Sequence, residues 1–430
     1  MSLAMGLDFG SRGYRAAYVL DGEVISVPGM ADPIWWSPLF IEQDPHSLPF
    51  GFTFSSLKYE IGTGRRFPWN GENRLPEEVA IETLRSLKMG VEAFAGEVVN
   101  SVTIAVPAQY STRRRSLLRE LAQTAGFGYV DLINDTTAAS LGFLHGFEGQ
   151  SKTLLVFSMG YIGFEVALVR SARQRLRELT HEGARNPSGR DFDLQVMHAT
   201  LEALQQRRVV LPIRAYTRQW FDLALLASDV KERLTLDHQA TMELPAHLTG
   251  ATAVRMTFES AGLEKIISLL IEPTMAAVQR SLDDADARRE DIDQVLLVGG
   301  SAHLGPIQSS LAQLFGERLV MAPMQVIAQG AAIQADRLAR QPDRDTDGAA
   351  AAVAATLAPP SPSAPPVALA NPRPPAQPDL DVLSAYVFSL IEAGEQTQAS
   401  AFLGDLEHRL QALRERVSAS LDVAPEIQSG

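Results

Sequence analysis

Two short glycine-containing segments carry the residues best suited to phosphate chemistry. The first reads Gly6-Leu7-Asp8-Phe9-Gly10-Ser11. Its glycines allow a tight turn that brings backbone N–H groups close to phosphate oxygens. Asp8 could hold a magnesium ion through water, and Ser11 offers a hydroxyl. The same residue types occur in ordinary β-hairpins, so this segment alone leaves a phosphate loop and a plain hairpin both open.

The second segment lies where a partner loop is expected, and it reads Ser158-Met159-Gly160-Tyr161-Ile162-Gly163-Phe164-Glu165. It keeps Gly160, but it has lost most of the chemistry that the first segment retains. We interpret this contrast as an ATPase-like fold with impaired catalysis.

The elements that must position these segments alternate between short apolar strands and amphipathic helices from about residue 4 to residue 340. This alternation is typical of an α/β protein. Strands are predicted at 5–9, 14–20, 102–106, 154–157, 164–169 and 295–298, and helices at 77–94, 112–125 and 306–315. The first two strands, and the pair at 154–157 and 164–169, are predicted to form hairpins around the two loops.

The composition changes sharply after residue 340. Residues 341–379 are rich in proline and alanine and predict a disordered or partly extended linker. Residues 380–423 predict a helical hairpin with leucines spaced by three and four residues. This hairpin could pack on itself or on the main body, or it could bind a partner or dimerise.

Bulk composition excludes several classes of protein. The chain has no cysteine, which excludes disulfides and thiolate metal sites. A net charge of −13 argues against general affinity for nucleic acid. No apolar run reaches the roughly 20 residues that a membrane helix needs, and the N-terminus does not resemble a secretory signal. We expect a cytoplasmic protein with protein or small-molecule partners, and neither nucleic acid nor membrane as a partner.

Further segments follow the two loops in a characteristic order. They lie at residues 76–79 (PEEV), 102–110 (VTIAVPAQY), 132–139 (LINDTTAA), 189–193 (GRDFD), 298–301 (VGGS) and 328–332 (AQGAA). Over about residues 5–340 the series closely resembles the nucleotide-binding domain of the 70-kDa heat-shock chaperones, the DnaK-type branch of the actin-like ATPases. The resemblance implies two actin-like lobes, built on ribonuclease H-like repeats, that close over ATP or ADP with Mg2+. The expected domain therefore spans residues 1–340.

The resemblance also implies roles for individual residues. Asp8 would face the metal, Lys58 would orient the attacking water, and Asp135 would replace a family glutamate on a shorter arm. Lys58 could instead be a solvated surface lysine. The nucleotide-binding positions implied by the same matches are Gly10, Ser11, Arg12, Gly160, Lys231, Thr235, Gly299, Gly300, Ser301 and His303. Lys231 and Thr235 match adenosine contacts, and the turn 299–301 would pass under the base.

The departures from the family pattern fall mainly in the second loop, which in the family reads Asp-Leu-Gly-Gly-Gly-Thr-Phe-Asp. Ser158 replaces the leading aspartate, and Gly163 replaces the catalytic threonine. Two glycines become Tyr161 and Ile162, whose side chains would intrude where phosphate approaches. Because phosphoryl transfer depends on positioned charge, we expect hydrolysis to be slow or absent.

Three further substitutions bear on the same cleft: Arg12 replaces a threonine, His303 replaces an adenine-stacking arginine, and Met324 replaces an aspartate. Arg12 could place a cation near phosphate in place of the metal. It could also pair with Glu165 and fill an empty cleft.

Some charged residues have simpler interpretations. Asp191 and Asp193 are expected to cap a helix rather than to form a catalytic acid pair. The arginines at 113–115 are expected to form a solvated helix face, and the histidines show no metal-ligand spacing.

The leading functional hypothesis is a divergent DnaK-like protein without the β-rich peptide-binding domain of the family. It would bind ATP or ADP between its lobes, hydrolyse ATP weakly or not at all, and act as a nucleotide-responsive chaperone-like or regulatory protein. A protein partner would bind its C-terminal helices or a lobe surface. One alternative is a competent but slow chaperone-type ATPase that works with a partner. Another is a scaffold with a collapsed cleft that binds no nucleotide, and a sugar kinase fits less well.

Overall fold

The computed structural model describes residues 3–28, 35–36, 39–43, 52–69, 72–145, 147, 150–172, 175–209, 218–249 and 253–340. The chain divides into two units, one comprising Met1–Val27 with Trp36–Leu357 and the other Pro28–Trp35 with Ala358–Gly430. Nearly all described residues belong to the first unit. The predicted linker at 341–379 and the predicted helical hairpin at 380–423 lie outside the described residues.

The regular elements of the described residues alternate along the chain as an α/β protein requires. The strands are β1 (Leu3–Phe9), β2 (Gly13–Leu20), β3 (Glu23–Val27), β4 (Trp35–Trp36), β5 (Leu39–Gln43), β6 (Phe52–Ser56), β7 (Phe67–Trp69), β8 (Glu72–Arg74), β9 (Val99–Val106), β10 (Tyr129–Asn134), β11 (Lys152–Met159), β12 (Phe164–Ala172), β13 (Arg175–Ala184), β14 (Gln239–Leu244), β15 (Val254–Glu259), β16 (Gln294–Val298) and β17 (Leu319–Met321). The helices are α1 (Leu57–Glu60), α2 (Pro76–Ala95), α3 (Thr112–Thr124), α4 (Asp135–Leu144), α5 (Gly189–Gln206), α6 (Arg218–Arg233), α7 (Ala246–Thr249), α8 (Ser260–Leu270), α9 (Glu272–Asp284), α10 (Gly305–Phe315) and α11 (Val326–Ala339), with short 3-10 helices at Arg289–Asp291, Gly300–His303 and Gly316–Arg318.

Two large sheets share one topology. Five strands of the first sheet run in the order β10-β9-β1-β2-β3, and the second runs β13-β12-β11-β16-β17. In each, an antiparallel hairpin (β1 with β2, β11 with β12) continues on one side into strands that pair in parallel. This internal repeat is the one that a two-lobed actin-like ATPase fold requires, so the predicted fold class is confirmed. The two hairpin turns are the two loops singled out in the sequence.

Helices α4 and α11 lie against each other beside both sheets and join the lobes at their base. A Cβ on Gly330 would lie 1.7 Å from the Ala138 carbonyl oxygen, and one on Gly142 would lie 2.2 Å from the Val326 carbonyl oxygen. Only glycine permits backbones to approach this closely. One apolar cluster contains residues from both sheets and both helices, including Ala105. The base of the two lobes is therefore one continuous core.

Gly6 has a different role from the one expected. It lies inside β1, and a Cβ there would lie 2.0 Å from the Ala332 amide nitrogen of α11. It therefore permits close packing of helix on strand, and the phosphate-turn role assigned to Gly6 is wrong. The turn itself is made by residues 10–12.

The predicted secondary-structure elements otherwise agree with the structure, but the predicted solvated helix face does not extend to Arg115, whose guanidinium donates to the Pro107 carbonyl and to Oδ1 of Asn134. Both predicted hairpins and all three predicted helices between residues 77 and 315 are present, with ends shifted by a few residues. The largest shifts are three residues, at the end of β12 and at the start of β9, which begins at Val99 because Val99 and Ser101 continue the buried face of the strand. Among the described residues, no helix has the length and apolar character needed to cross a membrane.

Candidate functional site

The turn between β1 and β2 is built so that only glycine fits at its first position. A Cβ on Gly10 would lie 2.3 Å from the Gly13 carbonyl oxygen. Ser11 follows and is buried, while Asp8 is buried at the end of β1 with the Arg15 guanidinium 3.7 Å away. Burial raises the pKa of Asp8 to about 6, against the opposing effect of the Arg15 and Lys58 cations.

A buried ion pair faces this turn. Lys58, on the one-turn helix α1, places its Nζ 2.7 Å from Oδ2 of Asp135, the first residue of α4. Lys58 is only 6% exposed, so it is not the solvated surface lysine of the alternative interpretation. Burial disfavours its ammonium, but the carboxylates of Asp135 and then Asp8 outweigh that effect and raise the pKa of Lys58. The structure thus brings Asp8, Lys58 and Asp135 together.

Glu165 joins the same group from the second sheet. It lies directly opposite Ser158 in the β11–β12 pair, and its Oε1 accepts a hydrogen bond from the Ala108 amide at 3.0 Å. Burial, reinforced by the Asp135 carboxylate and opposed by Lys58, raises the pKa of Glu165 to about 8. This carboxyl group is therefore mostly protonated at neutral pH.

Two oxygens of this group are buried without a hydrogen-bond partner among the described residues: Oδ1 of Asp135 and Oε2 of Glu165. A buried polar atom without a partner is costly, so these positions favour a ligand that supplies one. With Glu165 protonated, Asp135 and Asp8 are balanced in part by Lys58. This limits the electrostatic penalty that an anionic ligand would meet. Asp8, Lys58, Asp135 and Glu165 are called the Lys58 cluster below.

The position of the missing catalytic threonine is filled from another segment. Gly163 has φ +86°, and a Cβ there would lie 2.6 Å from the Tyr59 hydroxyl. That hydroxyl donates to the Ile162 carbonyl at 3.2 Å, while the Arg185 guanidinium lies 4.9 Å from the centre of the Tyr59 ring. Tyr59 therefore takes the space that a threonine side chain at 163 would need.

The two bulky residues of the second loop are placed differently from each other. Ile162 is buried, whereas Tyr161 is half-buried and packs against the core of the second lobe. A Cβ on Gly160 would meet nothing within 4 Å, and the one neighbour of a Cβ on Gly300 would be the Met324 methyl at 3.8 Å. The space beside Gly160 and Gly300 is thus open.

Arg12 reaches from the first loop to the second lobe. Its guanidinium donates to the Ser228 hydroxyl and lies 3.6 Å from a carboxylate oxygen of Glu232. It also lies 3.9 Å from Oδ2 of Asp193 and 5.3 Å from the centre of the Tyr161 ring. Glu165, the partner considered for Arg12 in the sequence, instead accepts from Ala108 and lies within the Lys58 cluster.

A second buried ion pair lies behind Arg12. Nζ of Lys231 is 2.6 Å from Oδ1 of Asp193 and donates to the Gly189 carbonyl at 3.2 Å. Burial raises the pKa of Asp193, and the cations of Lys231 and Arg12 oppose that effect. The helix-capping interpretation of Asp193 is therefore wrong, because its carboxylate is fully buried in this pair. Asp191, in the first turn of α5, does accept a hydrogen bond from the Ser188 hydroxyl at 2.7 Å.

The remaining predicted nucleotide contacts lie around the 3-10 helix at 300–303. Gly299 has φ +84° and approaches the Met159 carbonyl so closely that a Cβ would lie 2.6 Å from it. Ser301 is buried, and burial lowers the pKa of His303, so this imidazole is neutral at neutral pH. Thr235 is exposed just beyond the end of α6, and its hydroxyl donates to carbonyls of the last turn of that helix.

The residues present fit a nucleotide better than a directly coordinated metal. Within the described ranges, no group of three or more His, Cys, Asp or Glu side chains is placed to hold a metal ion. The open space beside Gly160 and Gly300 instead provides room for a phosphate chain with its waters. The unpartnered oxygens of Asp135 and Glu165 provide polar groups for the same ligand. Asp8 and Asp135 are the residues that could hold a magnesium ion through such waters.

Comparisons with known proteins place this geometry in a family. The sequence model of the Hsp70 protein family matches residues 40–347, which is more than half of the chain. The matched range contains Lys58, Asp135 and Lys231, and it begins after the turn that holds Arg12. A chaperone protein DnaK of Thermoplasma volcanium is 27% identical over 360 residues, which cover 78% of this chain. The match covers 58% of that relative, so the chain spans less than two thirds of its length.

Proposed function

This chain belongs to the Hsp70 family, and from that premise we propose that it binds ATP or ADP in the cleft between its two lobes and hydrolyses ATP weakly or not at all. Nucleotide state would bias closure of the lobes, and the protein would act as a nucleotide-responsive chaperone-like or regulatory protein. A protein partner would engage its C-terminal segment or a lobe surface. We propose a cytoplasmic location and neither nucleic acid nor membrane as a partner.

The Lys58 cluster is the observation that carries this proposal. Its members come from distant parts of the chain, and the Lys58 and Asp135 pair is buried at 2.7 Å between the two hairpin turns. A buried pair of this kind contributes little stability compared with apolar packing, so its presence at a cleft favours a binding role. The unpartnered oxygens of Asp135 and Glu165 support the same conclusion.

Weak hydrolysis follows from what the cleft lacks. Phosphoryl transfer is accelerated by positioned charge and hydrogen bonds, with little covalent chemistry from the protein. Ser158 supplies no carboxylate, and Gly163 supplies no hydroxyl. Loss of one such group typically costs about two to three orders of magnitude in rate. A magnesium ion held through water by Asp8 and Asp135 would neutralise phosphate charge without replacing these groups.

The nucleotide contacts are proposed from the placement of the predicted residues. Gly10 and Ser11 would cradle phosphate with Gly160. Gly299, Gly300, Ser301 and His303 would line the base. Lys231 would act through its pair with Asp193, since the residue is only 4% exposed and its ammonium is already held there.

A competent but slow chaperone-type ATPase is the second candidate. It is favoured by Lys58, whose ammonium is fixed by Asp135 beside Asp8 and is thus positioned to orient a water molecule. Phosphate release under single-turnover conditions separates the two candidates. Phosphate release that Lys58→Ala abolishes would favour the slow ATPase, and release no faster than in buffer would favour a nucleotide-binding protein without significant hydrolysis.

Titration calorimetry of the full chain with ATP, in magnesium and then in EDTA, tests the proposal. We expect saturable heat in magnesium, and we expect it to weaken in Lys58→Ala. Arg85→Ala is the matched control, since this exposed residue of α2 lies outside the Lys58 cluster. Absence of heat at millimolar ATP would overturn nucleotide binding and leave the scaffold alternative.

A further inference from the structure

We propose that Arg12 is an internal ligand of the cleft. In this structure its guanidinium lies on the adenosine side of the cleft and links the two lobes, and it must leave before nucleotide binds. This inference rests on the proposed function, and it adds an autoinhibitory contact to it.

The contacts of Arg12 join the two lobes directly. The residue lies in the β1–β2 turn of the first sheet. Its guanidinium donates to Ser228 on α6 and lies 3.6 Å from Glu232 on the same helix. It lies over the ring of Tyr161, in the second loop, at 5.3 Å. One side chain thus connects the first loop, the second loop and α6.

The helix face that Arg12 covers is the face that the family resemblance assigns to adenosine. Ser228 and Glu232 are one turn apart on α6, and Thr235 continues the same spacing just beyond its end. Lys231 lies between them in sequence and is tied to Asp193, which is 3.9 Å from Arg12. A nucleotide base and ribose at this face would meet the guanidinium.

The contact can be released without leaving a buried charge unpaired. Asp193 keeps Lys231 at 2.6 Å when Arg12 departs. Glu232 is 66% exposed, so water can solvate it. The Arg12 side chain is itself 20% exposed and can reach solvent by changing rotamer. The tight approach of Gly10 to Gly13 holds the turn backbone, so the side chain is the part that moves.

Two roles for Arg12 predict opposite effects of its removal. If the guanidinium were a cation that binds phosphate, its loss would weaken ATP binding. If it occupies the cleft, its loss strengthens ATP binding. A contact closed in about nine molecules of ten lowers the apparent affinity about tenfold, because only the open fraction is competent to bind.

The first test compares ATP affinity, by calorimetry, of the full-length wild type, Arg12→Ala and Glu232→Gln, with Arg85→Ala as the control. We expect about tenfold tighter binding in Arg12→Ala, a smaller gain in Glu232→Gln, and no change in the control. Equal or weaker binding in Arg12→Ala would overturn the internal-ligand role while leaving nucleotide binding intact. Absence of binding in every variant would overturn the proposed function as well.

The second test needs no nucleotide. Because the chain has no cysteine, spin labels can be placed on Glu23→Cys in the first lobe and Leu236→Cys in the second, both at exposed positions. We expect Arg12→Ala to lengthen or broaden the distance distribution between the labels in the ligand-free protein. A distribution identical to that of the labelled wild type would overturn the link between the lobes.

Discussion

The two sides of the cleft each contain a buried lysine–aspartate pair, but the pairs differ in what surrounds them. Lys58 and Asp135 lie 2.7 Å apart, and Lys231 and Asp193 lie 2.6 Å apart. Around the first pair, carboxyl oxygens of Asp135 and Glu165 have no hydrogen-bond partner among the described residues. Around the second pair, Oδ2 of Asp193 also lacks a hydrogen-bond partner among the described residues, but the Arg12 guanidinium lies 3.9 Å from it. A residue type retained from a family therefore does not by itself show that its side chain is available to a ligand.

The largest expected effect comes from breaking the first pair. Lys58→Ala leaves the Asp135 carboxylate buried without its cation, so we expect a loss of about 3–5 kcal/mol in the free energy of unfolding. Urea unfolding of the full chain measures this. The double variant Lys58→Ala/Asp135→Asn should recover much of the loss. A change below about 1 kcal/mol in the free energy of unfolding of Lys58→Ala would mean that the Lys58 and Asp135 pair is solvated. The comparison between two buried pairs would then fail.

The next effect is a pH dependence that belongs to the Lys58 cluster. Glu165 has its folded-state pKa raised from 4.5 to about 8, so its contribution to stability is full below pH 4.5 and is lost as pH rises through about 8. Asp8 contributes in the same direction, because its raised pKa makes the protein less stable as pH rises from 3.8 to about 6. Relative to Glu165→Gln, the wild type should lose a few kcal/mol of stability between pH 4.5 and 8. A constant difference between the two unfolding curves across that range would show that Glu165 is not buried as described.

A smaller effect tests whether Tyr59 fills the space beside Gly163. Gly163→Ala puts a Cβ 2.6 Å from the Tyr59 hydroxyl at a residue with positive φ, and we expect a loss of about 2–3 kcal/mol. Tyr59→Phe removes the hydroxyl and leaves the ring carbon at 3.7 Å, which is ordinary contact. In that background the same substitution should cost less, about 1–2 kcal/mol, from the positive φ and from the Ala184 carbonyl oxygen, which lies 3.2 Å from the added Cβ. If Gly163→Ala lowers the free energy of unfolding equally in the wild type and in Tyr59→Phe, the Tyr59 hydroxyl does not fill the space beside Gly163.

The smallest effect is expected at Thr235, on the adenosine side. This residue is exposed and its hydroxyl donates to carbonyls of the last turn of α6, so Thr235→Ala should change the free energy of unfolding by no more than about 0.5 kcal/mol. Thermal unfolding monitored by circular dichroism measures this. A loss above 1 kcal/mol would mean that Thr235 belongs to the Arg12 contacts, and the two sides would then be more alike than described.

Local patterns in the sequence account for much of the fold. Both hairpins and the main helices follow from apolar periodicity, and the order of motifs predicts the two-lobed architecture. Lys58 and Asp135 were also identified by motif, and the structure brings them together. These features depend on residues close in sequence or on short segments in a fixed order.

The parts that could not be predicted depend on contacts between distant residues. Arg12 is 216 residues from Ser228, and Tyr59 is 103 residues from Ile162. No local pattern shows that Tyr59 fills the place of a missing threonine. Asp193 has the spacing of a helix cap, and only its approach to Lys231 in three dimensions shows otherwise. The replacement of the family threonine by Arg12 indicates that the cleft differs from the family pattern. It does not indicate which residues the Arg12 guanidinium contacts.

Hydrogen–deuterium exchange of the full chain, with and without saturating ATP and magnesium, tests the central claim most directly, namely that nucleotide binds beside the Lys58 cluster and displaces Arg12. We predict slower amide exchange in both hairpin turns (residues 9–13 and 159–164) and at the start of α4. We also predict altered exchange around residues 228–235 of α6, where Arg12 departs. Unchanged exchange in all of these segments would contradict the account, and protection confined to the two turns would contradict the displacement of Arg12.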